Sequence, residues 1–517
     1  MNLSKYSAYI CSILDDFSSE RYNGNRIRSE RQRFYMVEKI RLVPTTETSH
    51  PFARADVKCN FKENGYVEDE YFVYGKANLY DANPDERPVV IAENVPYVNR
   101  MLVRRPADPA RFSGNVVIEL LNPTAHIDID RIWVNTWRYF VRHGDIYIGI
   151  VSKPDVFDSL YTFDKERYGE INWPNPLPDR KEPEGLMFPL NVQWENGLLW
   201  DIMTDCGKIL RRNDELNPIA AYMNTKVYLY MTGWSQCTGF INRYVRSFAQ
   251  TKELKGIFDG YLNAGGGAKL TPINSYANYA RGGIFGMEGW SVFGADVPFI
   301  ALNTESENKM AAWGDDSDVP GDLFRSYQMP GSSHDEKNNL DDWYRDDPDL
   351  APERRQPYRG LEGEVNNYPY TYLFHMTMAR LYAWVRDGVP APHMPRIEME
   401  RIRDEETGDY HYENLKDAFG NAKGGIRTAA LDLPTARYYN WCNEPQPDGT
   451  LRHNWLYGHA DPFSPALMEE LYGSLENYRA LVAKSTALDV QKGFVLPEDE
   501  EDIVNEIVQM AEARGLH

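Results

Sequence analysis

The sequence predicts an α/β protein with a mostly parallel central sheet that carries helices on both faces. From Gly114 onward, short apolar runs alternate with segments in which apolar residues recur at helical spacing. Residues 115–121 and 145–151 are runs of the first kind, and residues 130–142 between them have the helical period. Such alternation is typical of a parallel sheet covered on both faces. It continues with a helix at 195–212, strands at 227–231, 256–262, 298–302 and 325–328, and a helix from Gln236.

Regions on either side of this core elaborate the predicted fold. Residues 1–110 contain short alternating runs, such as 71–74 and 89–91, which favour antiparallel strands. A Pro- and Trp-rich stretch at 153–190 has no clear period and predicts a long insertion or cap. Helices are expected near 369–387, 464–490 and 497–514, with irregular sequence between the first two. We predict one elaborated domain over 1–517, with an N-terminal strand-rich region at 1–110, a core at 111–335 and a C-terminal helical extension at 336–517.

Composition argues against several classes of protein. The chain of 517 residues has 56 Lys and Arg against 77 Asp and Glu, a net charge of −21. A surface this acidic repels nucleic acid and anionic membranes, because phosphate binding depends on basic side chains. No segment approaches 18 consecutive apolar residues, and the N-terminus lacks the basic start of a secretory leader. We therefore expect no membrane span, no nucleic-acid partner and a cytoplasmic location.

The cysteines predict neither a disulfide framework nor a metal site. They form no CxxC pair, and none has a histidine nearby at metal-ligand spacing. We expect reduced thiols that pack as small apolar groups, and a protein that needs no metal or organic cofactor. The five are Cys11, Cys59, Cys206, Cys237 and Cys442.

The most informative stretch, residues 226–245, joins a strand to a helix through the segment GWSQC at 233–237. This is the nucleophile-elbow pattern G-x-S-x-G with cysteine in the last position. A sharp turn would project the hydroxyl of Ser235 above the sheet, and small residues on either side would let the neighbouring backbone pass. The helix start would aim the N–H of Gln236 at a developing oxyanion. The alternative is that Ser235 only caps the helix, as serine often does.

A serine nucleophile needs a base, and the base needs an orienting carboxylate. In this pattern the acid follows the serine in the chain and the histidine comes last. Two carboxylates, Glu305 and Glu307, follow the predicted strand at 297–302. Spacing does not choose between them; we favour Glu305 and keep Glu307 open. The base is predicted to be His334, which follows the strand at 325–328 and a Pro-Gly turn.

A second oxyanion donor is expected from the loop at 121–126. Pro123 has no N–H, so the donor would be the backbone of a neighbour such as Asn122 or Thr124.

Other motif-like segments favour structural roles. The glycine-rich segment 263–268 lacks the spacing of a phosphate-binding loop and is expected to leave room for backbone beside the active site. His375 lies in an apolar helix and is expected to be a core residue. The acidic run 498–502 is interpreted as a solvated helix start, and Cys237 as a small residue in the first helical turn.

Further segments accompany the elbow along the chain: VIELLN at 117–122, GWSQC at 233–237, PFIALNTESE at 298–307, residues 325–334 and 384–392, GGIR at 424–427, PTAR at 434–437, DPF at 461–463 and GFVLP at 493–497. Together they resemble the large, elaborated alpha/beta hydrolase domain-containing proteins of bacteria and fungi, a poorly characterised esterase-like group. The resemblance covers nearly the whole chain and implies the α/β-hydrolase fold. In such families the elbow serine, a carboxylate in the T/S-E-x-D/E loop and the histidine after the next strand form the triad. They correspond here to Ser235, to Glu305 or Glu307, and to His334. The chain departs from the family at Cys237, where serine or glycine is more usual, and at the 123–126 loop, where a glycine-bearing loop is more usual.

We therefore predict a serine hydrolase that cleaves a small-molecule carboxylic ester through an acyl-serine intermediate. Trp and Tyr in the 153–190 stretch suggest an aromatic or sugar-bearing substrate. The same triad could cleave a lactone, thioester or amide, or transfer the acyl group to an alcohol. From a different class, the chain could be a catalytically silent binding scaffold, or a structural protein with an accidental elbow. A homo-oligomer also stays open.

Overall fold

A mixed ten-stranded sheet is the centre of the computed structural model, which describes residues 37–53, 55–82, 87–182, 191–251, 253–277, 295–308, 313–345, 347–350, 359–405 and 408–517. The strands of this sheet are β1 (Val37–Val43), β2 (Tyr66–Ala82), β3 (Pro88–Pro106), β4 (Asn115–Leu121), β5 (Ile146–Val151), β6 (Tyr228–Trp234), β7 (Gly260–Ala264), β8 (Phe299–Thr304), β9 (Ser317–Val319) and β10 (Asp322–Met329). Their order is β1-β2-β3-β5-β4-β6-β7-β8-β10-β9.

Six neighbouring strands of this sheet are parallel to one another, in the order β5, β4, β6, β7, β8 and β10. Four of them, β4, β5, β7 and β8, are buried along their whole length. This explains their continuous apolar runs, since both faces of a parallel sheet are covered. Because parallel strands end at the same edge, the loops after β4, β6, β8 and β10 meet there. The prediction of a mostly parallel central sheet is confirmed.

Helices cover both faces of the sheet. On one face α3 packs against α8, with Tyr139 stacked on His375 at 5.7 Å between ring centroids. On the other face α6 packs against α7, with Trp200 stacked on Phe248, just after α7, at 5.4 Å. The helices are α1 (Asp56–Cys59), α2 (Phe61–Asn64), α3 (Arg131–His143), α4 (Phe157–Phe163), α5 (Lys165–Tyr168), α6 (Leu199–Ile209), α7 (Gln236–Ser247), α8 (Thr371–Asp387), α9 (Ala429–Asp432), α10 (Pro465–Tyr472), α11 (Leu475–Lys492) and α12 (Glu500–Ala513).

The C-terminal extension contains the predicted helices, and it contains strands as well. Three strands form a small sheet of order β11-β17-β14, and two separate hairpins pair β12 with β13 and β15 with β16. Most residues of the hairpin strands are polar or exposed, so they lack the apolar runs that mark a buried strand. The strands are β11 (Glu364–Val365), β12 (Met399–Arg403), β13 (Tyr410–Asn414), β14 (Ala436–Tyr439), β15 (Cys442–Pro445), β16 (Leu451–Asn454) and β17 (His459–Pro462).

Two other predicted boundaries shift. The strand predicted at 256–262 is β7, which begins only at Gly260. The short N-terminal runs belong to a long antiparallel pair, β2 and β3, of 17 and 19 residues. Apolar side chains from the described parts of all three predicted regions belong to one buried cluster. None of the helices in the described ranges is long and apolar enough to cross a membrane.

Candidate active site

The turn between β6 and α7 holds Ser235 in a strained backbone conformation. Its φ is 58° and its ψ is −120°, a region that residues other than glycine rarely adopt. The side chain of Ser235 makes no capping hydrogen bond to α7, so the alternative that this serine only caps the helix is wrong. Trp234, directly before it, and Cys237, two positions after it, are buried, whereas Ser235 is partly exposed and Gln236 is exposed. The geometry therefore presents a hydroxyl at the carboxyl edge of the sheet.

Close packing around the turn explains its small residues. A Cβ on Gly233 would lie 2.8 Å from the Cβ of Cys237. A Cβ on Gly266, in the segment after β7, would lie 2.8 Å from the carbonyl oxygen of Ser235. The backbone N–H of Ser235 donates to the carbonyl of Ala264 at 2.9 Å. The glycine-rich segment thus leaves room for backbone beside the turn, as the sequence predicts.

The loops after β8 and β10 form a buried pair between His334 and Glu307. Nδ1 of His334 lies 2.5 Å from Oε1 of Glu307, and both side chains are at most 5% exposed. The other oxygen of Glu307 accepts hydrogen bonds from the N–H and hydroxyl of Thr304, at 2.8 and 2.6 Å. A carboxylate on Nδ1 places the proton on that nitrogen and leaves Nε2 as the acceptor.

Burial of Glu307 opposes its ionisation, but the His334 imidazole and the two Thr304 hydrogen bonds outweigh burial. Together they hold the pKa of Glu307 below its usual range. Such a carboxylate stabilises the folded protein above its unfolded-state pKa, and this stabilisation is lost as the pH falls through the folded-state value.

We therefore expect the wild type to exceed Glu307→Gln in free energy of unfolding by about 1–3 kcal/mol near neutral pH. The difference should shrink as the pH falls below about 4.3, the ordinary pKa of a glutamate. Denaturant unfolding of both proteins at several pH values between 3 and 7 measures it. A difference that does not change over this range would contradict the lowered pKa.

Glu305, the carboxylate favoured from the sequence, has different partners. Its Oε1 lies 2.6 Å from Nζ of Lys416 and 3.1 Å from the amide of Asn414, and its Oε2 accepts from the N–H of Gly331 at 2.8 Å. The carboxylate of Glu305 therefore joins the loop after β8, which carries both carboxylates (the acid loop), to the loop after β10, which carries His334 (the histidine loop). It also joins the acid loop to the C-terminal extension. Of the two candidates, only Glu307 contacts the ring of His334.

A serine between the two carboxylates holds the backbone of the histidine. The hydroxyl of Ser306 accepts from the N–H of His334 at 3.1 Å and donates to the carbonyl of Asn440 at 3.0 Å. The amide of Asn440 also donates to the carbonyl of Glu305 at 3.2 Å. Sequence reasoning missed Ser306 and Asn440. Only the position of Ser306 in the acid loop could have indicated its role, and no local pattern marks Asn440.

The ring of His334 lies beside the serine turn. Its centroid is 5.0 Å from that of Trp234, the residue before Ser235, and 5.6 Å from that of Trp455 in the C-terminal extension. The structure thus gathers Ser235, His334 and Glu307 at one edge of the sheet.

The loop after β4 does not offer the oxyanion donors predicted from the sequence. The N–H of Asn122 donates to the carbonyl of Ile129 at 2.8 Å, and the N–H of Thr124 donates to Oδ1 of Asn122 at 2.8 Å. Both groups are engaged within the loop, where they satisfy its own backbone. Instead, the side-chain amide of Asn122 donates to the carbonyl of Trp234 at 2.8 Å and so links this loop to the turn that carries Ser235.

Gln236 meets the same loop on the exposed side of the turn. Its side-chain amide donates to the hydroxyl of Thr124 at 2.9 Å. Its backbone N–H is the first of α7, and among the described residues it donates no hydrogen bond. This N–H is therefore free for an anion at the helix start.

Buried arginines of β3 anchor the far end of this loop. Arg100 donates to Asp128 at 2.8 Å and Arg104 donates to Asp130 at 2.5 Å, and all four side chains are nearly inaccessible. Their spacing of four on one strand places both arginines on the same face, which could have indicated paired partners.

The other sequence predictions for this region have clear outcomes. His375 is buried as predicted, with Nδ1 2.9 Å from Asp499. Asp499 is itself buried, so the acidic run is not wholly solvated. Cys59, Cys206, Cys237 and Cys442 are buried and none of these four forms a disulfide bond, whereas Cys11 lies outside the described residues. No cluster of three or more potential metal ligands occurs in the part of the chain that the structure describes.

Comparison with known proteins places the whole arrangement in a family. The family model described as "Alpha/beta hydrolase domain" matches residues 38–505. The chain belongs to the alpha/beta hydrolase domain family. The resemblance stated from the sequence is confirmed, and the match spans the sheet, the serine turn and the C-terminal extension.

Solved structures similar to this alpha/beta hydrolase chain include esterases. A glucuronoyl esterase from Solibacter usitatus is 9% identical with a TM-score of 0.28, covering 59% of this chain and 72% of its own. An arylesterase is 9% identical with a TM-score of 0.26, covering 64% and 90%. Esterases from the fungus Rhizomucor miehei are represented at 9% identity and a TM-score of 0.26, covering 60% and 89%. The search of curated proteins found no match.

Proposed function

We propose that the protein is a serine hydrolase that cleaves carboxylic esters, with Ser235 as nucleophile, His334 as base and Glu307 as the orienting acid. The observation that carries this proposal is the strained, uncapped Ser235 beside a buried His334–Glu307 pair. Backbone strain of this kind persists only where surrounding structure enforces it, and it concentrates at active sites.

The first half of the reaction forms an acyl-enzyme. Oγ of Ser235 attacks the ester carbonyl carbon while Nε2 of His334 takes the hydroxyl proton. The tetrahedral intermediate collapses, the bond to the leaving oxygen breaks, and the imidazolium gives its proton to the departing alcohol. Glu307 holds the ring orientation and stabilises the imidazolium. In the second half, a water molecule gives a proton to Nε2 of His334 and attacks the acyl-serine. The bond to Oγ of Ser235 then breaks, Oγ regains the proton, and the carboxylic acid product leaves.

The developing oxyanion needs preorganised donors. The N–H of Gln236 at the start of α7 is the first, since the helix start is positive and this N–H is otherwise unused among the described residues. The hydroxyl of Thr124 is the second, because it already accepts from Gln236 and its own proton is left to donate. Thr124 thus keeps the role predicted for it, through its side chain in place of its backbone.

Glu305 acts in this proposal as a positioning residue. Its contacts with Gly331 and Lys416 hold the turn that leads to His334. Cys237 has no part in the chemistry. Its burial raises the pKa of the thiol above the usual range, so the thiol stays protonated.

A fluorophosphonate probe tests the proposal, because such probes phosphonylate activated serines. We expect labelling of the wild type, loss of labelling in Ser235→Ala, and retained labelling in the neighbouring control Cys237→Ala. An intact-mass measurement reads all three. Absence of labelling in a folded wild type would favour a silent scaffold. Labelling that survives in Ser235→Ala would assign the nucleophile to another residue.

Assays with different substrates decide which acyl-transfer reaction the protein catalyses. Esters, lactones, thioesters and amides all pass through the same acyl-serine. Alcohol acceptors added to the assay measure transfer in place of hydrolysis.

A further inference from the structure

The open end of the hairpin formed by β15 and β16 carries aromatic rings. In the antiparallel register Asn443 opposes His453, so these two side chains lie on the same face. Trp441 directly precedes β15 and Trp455 directly follows β16, and because Cys442 pairs with Asn454, both tryptophans lie at the open end of the hairpin. The rings of Trp441 and His453 are in contact, with centroids 5.1 Å apart. We call Trp441, His453 and Trp455 the aromatic face.

The aromatic face borders His334. The ring of Trp455 lies 5.6 Å from the ring of His334, which is only 4% exposed. Trp234, on another side of the same imidazole, is fully buried and belongs to the core. Trp441 and Trp455 are half-buried and His453 is exposed. Trp455 therefore places a partly exposed ring of the aromatic face beside the buried imidazole.

The proposed mechanism specifies which part of the substrate lies there. His334 must deliver a proton to the leaving oxygen, so that oxygen and its substituent lie beside the imidazole. The acyl chain lies on the other side of the scissile bond. A partly exposed ring that borders His334 is therefore placed near the alcohol portion of the ester.

We propose that the aromatic face, chiefly Trp455, binds the leaving alcohol and selects alcohols that carry a ring with a flat apolar face. An aromatic ring and the C–H face of a pyranose share this chemistry, and both pack on a partly exposed indole. The inference rests on the proposed function. It differs from the sequence prediction, which took Trp and Tyr at 153–190 as the source of such a preference.

A competing role for Trp455 is to keep water away from the His334–Glu307 pair. That role would act on every substrate alike and would change the pH profile of the reaction. Binding of a ring would act on one class of alcohol and would appear in KM more than in kcat. A comparison of substrates that differ only in the alcohol separates the two roles.

The experiment measures kcat/KM for acetates of benzyl alcohol, 1-hexanol and methyl glucoside (acetylated at the primary hydroxyl). The proteins are the wild type, Trp455→Leu, Trp455→Phe and the control Trp137→Leu. Trp137 is a half-buried tryptophan on α3 that makes no ring contact with another aromatic side chain in the described part of the chain. Thermal unfolding of each protein reports its fold.

We expect the wild type to prefer one or both ring-bearing acetates over hexyl acetate. In Trp455→Leu that preference should fall about tenfold, mostly through KM, which is the size expected for one lost ring contact. Trp455→Phe should keep most of the preference because a ring remains. Trp137→Leu should keep all of it. The benzyl and glucoside arms then show which kind of ring the site takes.

A wild type that hydrolyses all three acetates without preference would overturn the inference and leave the hydrolase proposal standing. So would an equal loss on all three substrates in Trp455→Leu with a displaced pH profile, which indicates water exclusion alone. A wild type that hydrolyses none and takes no fluorophosphonate would overturn the proposed function itself, and the inference with it.

Discussion

Replacing Ser235 by alanine is expected to lower kcat for p-nitrophenyl acetate and butyrate about 10⁴- to 10⁶-fold. Alanine has no hydroxyl to form the acyl-enzyme, so only oxyanion stabilisation and binding would remain. The loss should be a loss of chemistry and not of fold, because alanine and serine differ little in volume and meet the same strain at a φ of 58°.

Two controls make the Ser235→Ala result decisive. The unfolding temperature of the variant should match that of the wild type to within a few degrees. Ser464, which caps α10 far along the chain, gives a matched serine-to-alanine change that should leave turnover unaltered. Equal turnover by wild type and Ser235→Ala would mean that another residue is the nucleophile.

Replacing Glu307 by glutamine is expected to lower kcat about 10³- to 10⁴-fold, as for the acid of a comparable triad. An amide at 2.5 Å from Nδ1 of His334 cannot stabilise the imidazolium, and it allows the wrong tautomer. Glu305→Gln is the matched comparison, two residues away and equally buried. Its effect should not exceed about 10²-fold, the size of a small misplacement, because Glu305 contacts Gly331 and Lys416 and does not contact His334.

The order of these two losses tests the assignment of the acid. Steady-state kinetics with p-nitrophenyl butyrate at one pH give both values. A larger loss in Glu305→Gln would reverse the roles of the two carboxylates. Similar losses in both variants would indicate that Glu305 and Glu307 are both needed to hold His334 in its working position.

Local chemistry could be predicted from the sequence, and long-range choices could not. The elbow at Ser235 is contiguous, and its strand, turn and helix have patterns of their own. The choice between Glu305 and Glu307 depends on which one meets Lys416, 111 positions further along the chain. Nothing near the carboxylates specifies that contact. The prediction of backbone oxyanion donors in the loop after β4 was wrong for a related reason. The N–H of Asn122 donates to the carbonyl of Ile129, and the N–H of Thr124 donates to the side chain of Asn122.

The fold follows the same rule. Parallel strands such as β4 and β8 were predicted because both of their faces are buried and their sequences are continuously apolar. The hairpins of the C-terminal extension were missed because their strands are short and largely polar. They are held by tertiary contacts, such as that of Asn414 with Glu305, and not by a period in the sequence.

The contacts between the acid and histidine loops and the C-terminal extension bear on how the protein is made. A ribosome releases Ser235, Glu307 and His334 well before it releases Lys416 and Asn440. Until those later residues emerge, Glu305 has no cation and Ser306 has no carbonyl to bond. On the proposed mechanism, a growing chain therefore carries Ser235 before the contacts that hold the loops of Glu307 and His334 can form. We expect hydrolysis only after Lys416 and Asn440 have emerged, so a shorter nascent chain would not attack esters in its surroundings.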